Sequence, residues 1–80
     1  MSKEYYKKRL IDLRASIAKD REAKKKDNAY YADMIKRTSS ISSKASYRKS
    51  KISRAASHDR RIESLKRDIE NVRATMRRIK

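Results

Sequence analysis

The single histidine, His58, is followed directly by Asp59, the one place where a general base and a carboxylate that could orient it stand together. Neighbours on a helix point about 100° apart, so this pair does not form a base with its orienting acid, and no nucleophile is implied beside it. The ten Asp and Glu residues are scattered among 25 Lys and Arg residues and read as solvated ion-pair partners. With no Cys and one His, neither a thiolate site nor the coordination shell of a metal can be completed. With no Gly, a phosphate-cradling glycine loop is impossible. The residue types therefore predict no enzyme activity, no metal and no cofactor.

Binding chemistry is better represented. Lys36, Arg37, Lys44, Arg48, Lys49, Lys51 and Arg54 are seven cations with no acid between Asp33 and Asp59. Such a run can contact phosphates through counterion release, with neighbouring serine hydroxyls and Tyr47 adding hydrogen bonds, or it can face an acidic helix of another protein. The cluster Arg73, Arg77, Arg78 and Lys80 suits a helix C-terminus electrostatically. The doublets Tyr5-Tyr6 and Tyr30-Tyr31 each put one ring on an apolar stripe and one beside it, where packing at a helix edge is expected before stacking on bases.

These groups need long helices to position them. From Tyr6 the apolar residues Leu10, Leu13 and Ile17 follow at three-four spacing, fade from Lys19 to Asn28, and return at Tyr31, Met34 and Ile35. Ser2 is the expected N-cap, with Glu4 in the first turn. Glu4 with Lys8, Asp20 with Lys24, Glu22 with Lys26 and Asp33 with Arg37 are spaced for acid-first ion pairs one turn apart. In the second half Ile62, Leu65, Ile69, Val72, Met76 and Ile79 alternate steps of three and four, the a/d pattern of a coiled-coil seam. Ile41, Ala45, Ile52 and Ala55 or Ala56 are expected to extend it toward the N-terminus on smaller side chains, with His58 near it. Beside the seam runs a serine stripe, Ser39, Ser43, Ser46, Ser50, Ser53 and Ser57, with Ser64 one heptad later, which makes one narrow face of small side chains.

Composition sets the frame for these stripes. Charged residues make up 44% of the 80 and hydrophobic ones 36%, a balance between a long polar helix and a disordered chain that only the periodicity decides. Gly and Pro are both absent, so no residue is specialised for a tight turn or a stop. One small domain of this size buries little, and without disulfides or metals, self-association or a partner is the remaining support. A net charge of +15 favours acidic proteins, nucleic-acid phosphates or anionic membranes, the last less so because neither helix has a broad, bulky apolar face. No apolar run approaches the ~20 residues of a membrane span, and the N-terminus has no apolar secretory core, so a cytoplasmic protein is expected.

The predicted fold is all-α, an antiparallel two-helix hairpin of coiled-coil type, oligomeric or partner-bound. Helix 1 is expected over about residues 3–36, a turn over about 37–42 and helix 2 over about 43–79, with a break at Lys26 to Asn28 as the alternative. Folding near residue 40 sets Leu10 against Ile69, Ile17 against Ile62, and the polar region around Lys24 against Ala55, Ala56 and Ser57. One continuous helix would instead run about 120 Å at ~1.5 Å per residue.

The stretch Arg37-Thr38-Ser39-Ser40-Ile41-Ser42-Ser43, followed by Lys51, Arg54 and the seam from Ile62 to Ile69, resembles the helical coiled-coil segments that precede TIR domains in some bacterial immune effectors. It covers about half the chain and implies an oligomerisation or docking element; no TIR domain follows within these residues. The two-helix plan and length are also similar to the small hairpins of type VII secretion systems, although their Trp-x-Gly turn is missing. Both agree with the reading from residues: a basic interaction or assembly module without catalysis. Tyr6, Leu10, Leu13, Ile17, Ile52, Ile62, Leu65, Ile69, Val72 and Met76 are the expected seam toward a second copy or a larger acidic helical partner. Sequence-independent binding of nucleic-acid backbone through the seven cations is the alternative.

Overall fold

The computed structural model describes residues 2–79 and contains two helices, α1 (Lys3–Arg37) and α2 (Ile41–Arg78). They lie side by side as an antiparallel hairpin measuring 63 × 14 × 12 Å. That length matches a 38-residue helix at ~1.5 Å per residue and excludes one continuous rod. The chain does not break at Lys26 to Asn28, which α1 runs straight through. Among the described residues no helix is long and apolar enough to cross a membrane.

The reversal takes three residues, Thr38 to Ser40, and uses no positive φ. Thr38 and Ser40 are both extended, at φ −86°, ψ 139° and φ −78°, ψ 123°, a region open to any residue, so glycine is not needed. One backbone bond and two side-chain bonds hold the turn instead. The Thr38 N–H donates to the Met34 carbonyl at 3.1 Å, and the Ser40 N–H to Thr38 Oγ1 at 3.3 Å. Ser40 Oγ in turn accepts from the Ser43 N–H at 3.2 Å, an N-cap bond that opens α2. At the other helix start Ser2 holds the N-cap position, but its side chain makes no capping bond.

Leu10, Leu13, Ile17 and Ile62 form the buried core, with Tyr6, Leu65, Ile69, Val72 and Met76 half-buried around it. Two helices have only one contact line, and each side chain on it is covered from one direction. Burying one such aliphatic group contributes ~1.5–3 kcal/mol when complete, so four in an 80-residue chain make a thin core. The dry part of this core lies in the half of the hairpin that holds both chain ends, which we call the base.

The expected extension of the α2 seam through Ile41, Ala45 and Ile52 needs correction as far as the contact between the two helices goes. Ile52 is 71% exposed and Ile41 86% exposed, so neither belongs to the seam that joins the helices. Counting back in sevens from Ile62 leads to Ala55, Arg48 and Ile41, and from Leu65 to His58, Lys51 and Lys44. Ile52 lies one position past Lys51 and points outward. Ile41 is in phase, but it is the first residue of α2, beyond the end of α1. Ala45 is exposed as well. The inner positions of this tip half are filled by Lys44, Tyr47, Lys51 and Ala55, all half-buried.

Candidate interaction surface

The apolar stripe of α1 does not lapse in its middle so much as change chemistry. The three-four count from Tyr6, Leu10, Leu13 and Ile17 continues through Asp20, Lys24, Asp27, Tyr31 and Met34, and every one of these is buried or half-buried. The carboxylates expected to be solvated thus include two on the inner face. Asp20 is 9% exposed and meets Arg61 across the hairpin at 3.5 Å. Lys24 reaches past the Ala55-Ala56 layer to Asp59 at 2.7 Å. Asp27 Oδ2 lies 2.8 Å from Nε2 of His58 and 4.0 Å from Arg54.

This polar layer replaces one expected ion pair. Asp20 and Lys24 do not pair along α1; each turns to a partner on α2, because both occupy inner positions where the opposite helix is nearest. Asp33 and Arg37 do pair as their spacing predicts, at 3.0 Å, while Glu4 takes Lys7 at 3.4 Å, one residue nearer than Lys8. The residues that sequence reasoning missed are Asp20, Lys24 and Asp27 as cross-helix partners. Carrying the heptad count on through polar residues would have found them.

Toward the tip the charge is one-sided. Lys36, Arg48 and Lys49 are exposed, and Lys44 and Lys51 are half-buried. Among the described residues none of these five has an acid within ion-pairing distance, whereas Arg37 and Arg54 are held by Asp33 and Asp27. The seven cations therefore do not form one continuous face. Four of them divide between two shallow grooves on opposite sides of the hairpin, Lys49 and Arg54 in one and Arg48 and Lys51 in the other, while Lys36, Arg37 and Lys44 line neither.

One groove is polar, lined by Tyr31, Lys49, Ser50, Ser53, Arg54 and Ser57. Here the serine stripe is used as the spacing suggests, with three of its members beside two cations. Tyr31 supplies the phenol there, in place of the expected Tyr47. The other groove is apolar at its floor, lined by Asn28, Ile35, Arg48, Lys51, Ile52 and Ala55. The tyrosine doublets behave alike: Tyr6 and Tyr31 are half-buried, Tyr5 and Tyr30 lie outside, and each pair meets edge to face at 5.2 and 5.1 Å.

The expected seam residues Leu10, Leu13, Ile17 and Ile62 are engaged within the chain, holding α1 to α2. Large apolar side chains remain exposed at both ends, Tyr5 and Ile11 on the base and Tyr30, Ile41 and Ile52 on the tip half, where Ile41 and Ile52 stand among the run of cations that has no acid in sequence. Compared with family models, curated proteins and solved structures, the chain matches none of them.

Proposed function

We propose that the chain is a non-enzymatic interaction module, a hairpin whose basic tip half engages a helical partner with an acidic surface. One observation carries this reading: among the described residues Lys36, Lys44, Arg48, Lys49 and Lys51 have no acid within ion-pairing distance, on the same half of the rod that leaves Ile41 and Ile52 in water. Apolar area gives affinity, while the cations steer encounter and select the sign of the partner. Pairing between two copies would bring faces of the same sign together on chains that each carry +15, so a partner of opposite charge is favoured over self-assembly. Light scattering, with titrations of an acidic and a basic amphipathic helical peptide at low and physiological salt, tests the proposal. A monomer that binds the acidic peptide only is the expected result. Equal binding of both peptides, or a stable dimer dissolved by Leu65→Asp, would count against it.

The polar groove favours a second reading, binding of nucleic-acid backbone. Lys49 and Arg54 sit there among three serine hydroxyls and a tyrosine, donors that suit phosphate oxygens without reading bases. That reading requires duplex affinity to fall with salt on a log-log slope set by the phosphates neutralised. It also requires Lys49→Glu to weaken binding to every duplex sequence alike.

A further inference from the structure

The two grooves of the tip half differ in a way that separates their ligands. The Asn28 to Ala55 groove has a hydrocarbon floor, made by Ile35 of α1 and by Ile52 and Ala55 of α2. Its rim is cationic: Arg48 and Lys51, three residues apart on α2, stand on the same side of that helix as the floor. Asn28 adds an amide able both to donate and to accept.

We propose that this groove is the docking site for an amphipathic helical segment of a partner protein, one that inserts a leucine or isoleucine side chain flanked by Asp or Glu within one turn. The proposal rests on the reading of the chain as a module for acidic partners and specifies where and how such a partner is held. Charge complementarity selects the occupant. An apolar knob alone would satisfy the floor and leave Arg48 and Lys51 unanswered, and among the described residues neither has an acid within ion-pairing distance. A phosphate backbone would answer the cations but present no hydrocarbon to Ile35 and Ile52, and both tyrosines of the Tyr30-Tyr31 doublet lie outside this groove, so no ring is available there for base stacking. A second copy of the chain would add its own Arg48 and Lys51 to the site. A segment with both features covers Ile52, which is 71% exposed in the hairpin alone, and places its carboxylates between guanidinium and ammonium groups.

The test selects helical peptides of about four turns from a displayed library, with leucine fixed on one face and all other positions randomised, against the full chain. Selected peptides are expected to be enriched in Asp and Glu beside the leucines. They should lose at least tenfold in affinity toward Ile52→Asp and toward Arg48→Glu, and keep it toward Arg14→Glu, an exposed cation of the base that lines neither groove. Ile52 is exposed and Arg48 lies at the rim, so unchanged circular dichroism will show that both variants remain folded. Acid-rich peptides indifferent to Ile52→Asp would overturn the groove and leave the acidic-partner reading standing. Selected peptides without acidic enrichment would overturn both. Duplex DNA binding that depends on Arg48 and Lys51 but not on Ile52 would reassign the rim to phosphate contact and overturn the docking site.

Discussion

Asp20 occupies a place that one turn earlier holds Ile17 and two turns earlier Leu13, and it is covered almost as fully as they are. Its one cation, Arg61, is mostly in water, so the pair keeps the desolvation cost of the carboxylate without the full attraction of a dry ion pair. Asp20→Leu is expected to stabilise the hairpin by ~1–3 kcal/mol, seen as a melting temperature several degrees higher by circular dichroism. A lower melting temperature would mean that the carboxylate holds the helices together better than hydrocarbon does. Asp27 differs because it serves His58 and Arg54 at once. A double-mutant cycle of Asp27→Ala with His58→Ala should show a coupling of roughly 1 kcal/mol, the worth of one partly covered hydrogen bond. Coupling near zero would reduce the 2.8 Å contact to simple proximity. These charged residues were the least legible part of the sequence. Asp20 and Lys24 have the spacing of a surface pair on one helix, and hydrophobicity alone cannot tell an inner carboxylate from an outer one. The aliphatic positions were legible because their type and spacing agree: Leu10, Leu13, Ile17 and Ile62 are all where the stripe puts them.

Between helices, the glycine-free reversal gives the caps unequal weight. Ser40→Ala removes the oxygen that accepts from Ser43 and should cost about 1 kcal/mol in chemical denaturation. Ser2→Ala should cost close to nothing, since the Ser2 hydroxyl caps nothing. Equal losses at the two serines would mean that the turn is not held by the Ser40 contact. Leu13, at 4% exposure, is the most covered core residue, and Leu13→Ala should remove ~2–4 kcal/mol, a large part of what so thin a core supplies. A variant that still melts within a degree or two of the parent would show that α1 and α2 are held mainly by their polar layer. The position of the reversal was readable from the hydroxyl cluster after Arg37. The phase of α2 near the tip was not, because Ile52 is the bulkiest apolar residue in a stretch of serines and cations and attracts a seam assignment that belongs to Lys51 and Ala55.

For the whole rod, charge works against compactness, as 25 basic side chains outnumber ten acidic ones on a body 63 Å long and about 13 Å across. Exposed cations at the tip are screened by salt more readily than the partly covered pairs at Asp20 and Asp27. Raising salt from about 0.02 to 0.5 M shortens the Debye length from roughly 20 to 4 Å and should therefore raise the melting temperature. A fall would mean that the cross-helix pairs outweigh the repulsion. That the chain folds back was legible at this scale, since strong stripe faces strong stripe and polar middle faces polar middle only when the halves are antiparallel. The polar middle also guards against sliding. Were α2 to slip by one heptad so that later residues came opposite the layer, Asp20 would confront Asp68 in place of Arg61, and Lys24 would confront Lys66 in place of Asp59. The aliphatic edge repeats every seven residues and would still find partners over most of its length, losing chiefly Ile62 to the neighbourhood of Lys24, so the charges add outright repulsion to that loss in the out-of-step alternative.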